Sequence, residues 1–171
     1  MTHLGSAPLP EPSAEDHLRG PAGAPVVIEY ADFECPFCAA LSLQLARMTL
    51  RRVFRHFPVR SSHPRAWPAA CAAEAAARQS RFWEMHDLLF ADQGRLEDPH
   101  LWQRAEKIGL DLDQFEADRR SDEITARVRR DFTSGVRAGV VSTPTLVAGE
   151  RMLSGHIDDL ELAALQNSEA R

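Results

Sequence analysis

What this 171-residue sequence lacks already sets aside several classes of protein. No apolar run approaches the ~18 residues that a membrane-crossing helix requires, so no membrane span is expected. The formal net charge is −5, and basic residues are neither in excess nor interleaved with aromatics, so no nucleic-acid partner is expected. The opening stretch carries Pro8, Pro10, Pro12 and Pro21 and no hydrophobic block, so it does not read as a secretory signal, and a cytoplasmic location is expected. There are three cysteines, too few for a disulfide framework, with one left over from any pair. A closed zinc site needs about four ligands and no second C-x-x-C exists, so no metal is expected at the cysteines. His56, His63 and His86 share no ligand spacing and read as structural or surface groups. No internal repeat and no low-complexity tract beyond an alanine cluster is present, and the length fits one domain with its own core.

Against these absences stands one stretch, Val26 to Ala39, which reads V-V-I-E-Y-A-D-F-E-C-P-F-C-A. The β-branched run Val26, Val27, Ile28 predicts a buried strand that continues through Glu29 and Tyr30 to about Ala31. An acidic turn follows, then Cys35 and Cys38 with Pro36 and Phe37 between them. Beyond Cys38 a series of helix formers (Ala39, Ala40, Leu41, Leu43, Gln44, Leu45, Ala46) predicts a helix to about Met48. The cysteine pair therefore lies where a strand gives way to a helix, with Cys35 at the N-cap and Pro36 at the first helical position. A thiol there meets unsatisfied backbone N–H groups and the positive end of the helix dipole, and both favour thiolate. Cys35, ahead of the helix, is expected to be the exposed partner, and Cys38, one turn in, the shielded one. Phe37 offers an apolar surface beside the pair or simply packs. Glu29 is a carboxylate in an apolar strand, costly unless it ionises late or finds a partner. A proton-transfer group and a salt-bridged structural group both remain open for it.

Along the chain, residues 1–19 are polar and rich in Pro, Ala and Ser, and read as a flexible or loosely draped arm ahead of a single domain over 20–171. A second strand is predicted over Arg52 to Val59, where Val53, Arg55 and Phe57 alternate with Phe54 and His56. Strand, helix, strand on this scale is a βαβ unit with a parallel pair. From 63 to 139 the pattern is helical. An alanine-rich helix over Ala69 to Arg78 contains Cys71, which reads as a small buried core residue. Ser80 is expected to cap a second helix with Phe82, Met85 and Leu89 on one stripe. Asp98-Pro99 opens a third that stops at Gly109, Asp111 caps a short fourth around Phe115, and Ser121 begins a fifth with Ile124, Val128 and Phe132. A hairpin is predicted from Thr145–Ala148 and Arg151–Ser154, followed by a last helix with Ile157, Leu160 and Ala164 on one face.

The order of elements is thus β-α-β, a helical block, then β-β-α, with C-P-F-C at the first strand–helix junction and Ser142-Thr143-Pro144-Thr145 just before the third core strand. This pattern resembles the thioredoxin fold, and the helical block makes it similar to the DsbA-like family of thiol–disulfide oxidoreductases. The stretches that carry the likeness are D-H-L-R-G-P-A-G-A-P-V-V, E-Y-A-D-F-E-C-P-F-C-A, R-H-F-P-V, F-W-E-M-H-D-L-L-F and G-V-V-S-T-P-T-L-V. The resemblance implies an α/β fold, a central mixed sheet flanked by helices, with an all-helical insertion over 63–139 between core segments 20–62 and 140–171. It implies that Cys35 attacks and Cys38 resolves through a redox-active disulfide between them. Thr143 and Pro144 would form a cis-proline loop that faces the dithiol and holds substrate backbone, with Pro36 and Phe37 on the substrate side. Glu29 would lie beneath the pair and move the second thiol's proton. Two departures stand out: the segment between Cys38 and R-H-F-P is shorter than is usual for the branch, and the Pro-Phe dipeptide lacks the histidine of strongly oxidising periplasmic members.

The function expected is thiol–disulfide exchange with protein or small-molecule thiols and disulfides, with no bound cofactor and with glutathione or another thiol as electron partner. Two other readings compete. One is a redox-sensing or soft-metal-binding module without turnover. The other is a glutathione-dependent transferase or isomerase on the same fold, whose members often carry serine at the first cysteine, so an intact Cys35 speaks against it.

Overall fold

Strand β2 (Val26–Ala31) is the axis on which the molecule is assembled. In the computed structural model, which describes residues 9–166, β2 lies parallel to β3 (Arg51–His56), with Ile28 opposite Val53, and antiparallel to β4 (Thr145–Ala148), with Ile28 opposite Val147. β1 (His17–Arg19) closes one edge against β3, and β5 (Arg151–Ser154) closes the other against β4. The order is β1-β3-β2-β4-β5. This is a thioredoxin-type mixed sheet, flanked on both faces by helices.

Because side chains alternate along a strand, each face of the sheet has its own chemistry. Val27, Glu29 and Ala31 share one face with Arg52, Phe54 and His56. Helices α1 (Pro36–Leu45), α2 (Ala66–Arg78), α3 (Phe82–Ala91) and α7 (Asp159–Gln166) cover it. Ile28, Tyr30, Val53 and Phe57 point the other way and meet Phe132 of α6 (Asp122–Ala138) and Val140. The helical block expected over 63–139 holds α2, α3, α4 (Asp98–Lys107), α5 (Leu112–Arg119) and α6. α2 is its centre, packed against α3, α5 and α6. Its alanines make this possible, since Ala69, Ala70, Ala72, Ala73, Ala75 and Ala76 are all buried and short side chains let several helices approach one axis. Arg104 fastens α4 to the end of α3 by donating to the carbonyls of Leu88 and Asp92 at the end of α3, of Arg95 in the connecting loop and of His100 in α4 itself.

The ends predicted by Asp111, Ser121 and the glycines are found where expected. Asp111 and Ser121 accept hydrogen bonds from the backbone of Gln114 and Ile124, and Gly139 ends α6 at φ +87°. Several details differ from the sequence reading. Residues 1–8 of the expected arm lie outside the described residues, but 9–19 are laid onto the fold. Arg55 draws this segment in, through a bidentate pair with Asp16 and a bond to the Glu11 carbonyl, and His17–Arg19 pairs with the open edge of β3. Its polar residues are partners of buried groups, which polarity alone does not reveal. Strand β3 ends at His56 rather than Val59, because Phe57 and Pro58 lead into a turn tied to Asp32. Helix α1 ends at Leu45, short of Met48. Ser80 makes no cap; it takes φ +60° in the turn between α2 and α3, and Arg81 holds the N-cap position. In α7 the inward residues are Leu162 and Leu165, with Ile157 ahead of the helix, while Leu160 is 82 % exposed. Starting the helix at Asp159 rather than Gly155 rotates the buried face away from Leu160.

Gly135 marks the closest approach of α6 to the sheet, where an added Cβ would come within 2.7 Å of the Phe57 ring and 3.0 Å of Tyr30. Gly135→Ala is expected to destabilise the protein by about 1–3 kcal/mol through overpacking. Gly94→Ala, whose nearest neighbour would be Asp92 at 3.8 Å, serves as the control. Urea unfolding midpoints check this, and equal midpoints for the two variants would contradict the packing described.

Candidate active site

The turn between β2 and α1 carries the cysteines and is pinned from three sides. Asp32, 1 % exposed, accepts from the backbone of Glu34 at 2.8 Å and of Val59 at 2.8 Å, and pairs with His63 at 2.8 Å. Glu34 accepts from the Arg65 backbone at 2.7 Å and from its guanidinium at 2.8 Å, which ties the turn to the start of α2. From beyond α3, the Gln93 amide donates to the carbonyls of Phe33 and Cys35, both at 2.8 Å. Only the acidic character of this turn was visible in the sequence. The parts played by Asp32, Glu34, His63, Arg65 and Gln93 depend on partners 27–60 residues away, for which no local signal exists.

Cys35 is the N-cap of α1 and Pro36 its first residue. The Cys35 sulfur lies 3.5 Å from the carbonyl oxygen of Thr143, in the loop before β4, where the Thr143–Pro144 peptide is cis. That loop is held by the Thr145 hydroxyl, which donates to the Ser142 carbonyl at 2.7 Å, and by the Gly155 N–H, which donates to the Pro144 carbonyl at 3.0 Å. The expected contrast in exposure is small: Cys35 is 3 % exposed and Cys38 0 %, because the Thr143–Pro144 loop closes over the first sulfur. Pro36 and Phe37 are the exposed members of the motif, Phe37 at 62 %. Phe37, Leu41, Leu43, Pro144, His156 and Ile157 line a groove of about 390 Å³ beside the pair.

The two thiols are driven in opposite directions. The hydrogen bond from the Cys38 thiol is the largest influence on Cys35; it acts against burial and is joined by Thr143 and by the backbone N–H groups of Cys38 and Phe37, and the result is a pKa of about 6. Burial pushes the Cys38 thiol far up, and the hydrogen bond and charge of Cys35 and the carboxylate of Glu29 push it further. Glu29 is 1 % exposed, and its Oε2 accepts from the Arg52 guanidinium at 2.9 Å while Oε1 has no hydrogen-bond partner. The carboxylate is thus both buried and salt-bridged, and its charge reaches Cys38. Cys71 stands apart, buried on α2 with Ala70, Ile124 and Val128, its thiol pushed up to about 11 by burial and by Glu74.

A thiol with a pKa of about 6 is mostly thiolate at neutral pH, whereas an ordinary cysteine ionises near ~8.5. Alkylation of the reduced protein by iodoacetamide, followed by peptide mass analysis, should therefore show Cys35 reacting with a midpoint near 6 and Cys38 unreactive. Cys38→Ala removes the largest influence and should move the midpoint upward. The sign for stability follows from the same depressed value: the contribution of Cys35 is fully present above the pKa of the unfolded thiol and is lost as pH falls through about 6. A wild-type midpoint near ~8.5 would refute the electrostatics described.

Comparison with known proteins places this geometry in context. A family model described as thioredoxin matches residues 13–166. A curated relative named Na(+)/H(+) antiporter NhaA 3, from Salinispora tropica, is 43% identical over 168 residues, covering 92% of this chain and 25% of the relative. The Na(+)/H(+) antiporter NhaA of Herminiimonas arsenicoxydans is 39% identical, covering 91% of this chain and 26% of the relative. The chain spans about a quarter of the length of these relatives. No helix among the described residues is long and apolar enough to cross a membrane. Among solved structures, a thioredoxin-like oxidoreductase from Silicibacter pomeroyi superposes with a TM-score of 0.77 at 26% identity, over 90% of this chain and 91% of that one. The thiol-disulfide exchange protein alpha-DsbA2 from Wolbachia pipientis shares the fold with a TM-score of 0.77 at 18% identity, over 89% and 86% of the two chains. The mixed sheet with its helical insertion is a fold shared with these solved structures, and the chain belongs to the thioredoxin family.

Proposed function

We propose that the domain is a thiol–disulfide oxidoreductase whose working pair is Cys35 and Cys38. One observation carries the reading: adjacent thiols at the head of α1 are driven to opposite protonation states, Cys35 to about 6 and Cys38 upward. In the reducing direction the Cys35 thiolate attacks a substrate disulfide, forms a mixed disulfide and releases one substrate thiolate. Two of the influences that hold Cys38 protonated, the hydrogen bond and the charge of Cys35, vanish at that moment. Cys38 then loses its proton and attacks the Cys35 sulfur; the Cys35–Cys38 disulfide forms and the second substrate thiolate leaves. Two electrons pass to the substrate, and the reverse sequence oxidises a substrate dithiol. Glu29 is proposed as the group that takes the Cys38 proton, supported by its burial and by the effect of its charge on Cys38.

The substrates proposed are protein or small-molecule thiols and disulfides, with glutathione or another small thiol as electron partner. Thr143 and Pro144 are proposed to hold the substrate backbone as an added strand, with Pro36 and the exposed ring of Phe37 on the apolar side of the groove. What this chain and the antiporter relatives share is proposed to be the thiol-exchange unit; transport is not carried across to a domain matching a quarter of their length.

Reduction of insulin disulfides tests the reading. Cys35→Ser is expected to fall to background, Cys38→Ser to accumulate a mixed disulfide, and Glu29→Gln to slow resolution by on the order of 10²-fold while leaving the first attack intact. Activity unchanged in Cys35→Ser would sink the enzyme, and tight copper(I) or zinc retention at the dithiol without turnover would favour a binding module instead.

A further inference from the structure

Behind the dithiol turn, the fold gathers three side chains that the thiol chemistry does not use. His17 of β1, His56 of β3 and Glu74 of α2 place their ligand atoms within 4.8 Å of one another. Both Nε2 atoms lie 2.7 Å from the same oxygen, Oε1 of Glu74. Each group is held from behind. The His17 ring stacks on Phe82 with centroids 3.5 Å apart, the His56 ring lies against Phe33 and Phe54, and Glu74 is 4 % exposed on the alanine-rich helix.

We propose that His17, His56 and Glu74 form a binding site for a divalent cation of the zinc type. Two imidazole nitrogens and one carboxylate oxygen are the three-protein-ligand set that zinc takes when a fourth position stays open. Zinc–ligand bonds of about 2.0–2.1 Å put tetrahedral ligands roughly 3.3 Å apart, so each 2.7 Å contact opens by about 0.6 Å to admit the ion, a side-chain adjustment. The shared Glu74 oxygen accepts from both Nε2–H groups, so a bound cation would take the place of those protons, and His56 would then carry its ring proton on Nδ1, which has no other hydrogen-bond partner. The charge balance also suits a cation. Arg127 approaches the other oxygen of Glu74 at 3.9 Å but is itself paired with Asp131, so two carboxylates stand against one guanidinium. Access is from the surface: the His17 side chain is 16% exposed and borders a cavity of about 280 Å³ that also touches Ser80 and Trp83, where an open fourth position would meet water. A bound ion would clip the N-terminal strand and the helical block to β3. The ligands come from positions 17, 56 and 74, so no spacing in the sequence announces them, and only the pairing of β1 with β3 brings His17 beside His56.

The test uses the full chain carrying Cys35→Ser and Cys38→Ser, so that the dithiol contributes nothing and the outcome is independent of the proposed enzymatic function. Equilibrium dialysis should show one zinc per chain, a rise in Tm with added zinc, and a cobalt(II) visible spectrum with no thiolate charge-transfer band. Adding His17→Gln retains a donor to Glu74 and supplies no imidazole ligand; it should fold, judged by circular dichroism, and bind about 10²-fold more weakly. His100→Ala, on α4 and outside the three-residue cluster, should bind as the parent does. Failure of the parent to take up zinc saturably, or uptake equal in the His17→Gln protein, would overturn the proposal and leave the three residues a hydrogen-bonded strut.

Discussion

The active-site turn is organised around two thiols three residues apart whose surroundings push them in opposite directions, Cys35 toward thiolate and Cys38 toward thiol. A helix N-terminus supplies part of that, because the N–H groups of Phe37 and Cys38 point at the Cys35 sulfur. The larger part comes from the Cys38 thiol itself, which can donate only while burial prevents it from ionising. The rest of the molecule can be understood as what makes that burial possible. Helix α2 and helix α3 form the wall against Cys38, and Asp32, Glu34 and Gln93 fix the turn so that the sulfur meets Thr143 and not solvent.

That wall is unusual in composition. The face of the sheet under α2 and α3 carries Glu29, Arg52, His56 and, at its edge, His17 and Arg19, where an apolar surface would be cheaper to bury. Most of these groups are matched: Glu29 with Arg52, Glu74 with both histidines, Arg19 with Asp87. Aromatic rings fill the spaces between them, Phe33, Phe54, Phe82 and His86 forming a contiguous cluster of stacked, edge and tilted contacts. A charged layer in such a dry setting acts strongly on what lies nearby, and the carboxylate of Glu29 accordingly reaches Cys38. The opposite face, built on Ile28, Tyr30, Val53 and Phe57, is an ordinary apolar core.

Much of this was legible because it is local. The β-branched run, the C-P-F-C motif, Pro36 at the first helical position, the S-T-P-T loop and the caps at Asp111, Ser121 and Gly139 each declare themselves within a few residues. What stayed hidden is non-local. Residues 9–19 read as a loose arm until Arg55 and Glu74 are seen to hold Asp16 and His17. Leu160 reads as buried in a helix begun at Gly155 and is exposed in one begun at Asp159. Ser80 has the chemistry of a cap and the backbone of a left-handed turn, a choice made by how α2 must hand over to α3. Gln93, which holds the cysteine turn, has nothing in its neighbourhood to mark it.

Exchange at this dithiol requires that the fold stabilise the reduced pair through a thiolate at Cys35. The most direct measurement is the equilibrium potential of the Cys35–Cys38 couple against glutathione. A thiolate stabilised to a pKa of about 6 favours the dithiol form, so the couple should lie above thioredoxin at about −270 mV and below the strong oxidant DsbA at about −120 mV. A value below about −300 mV, where inert structural disulfides lie, would show that the thiolate is not stabilised and would contradict the account.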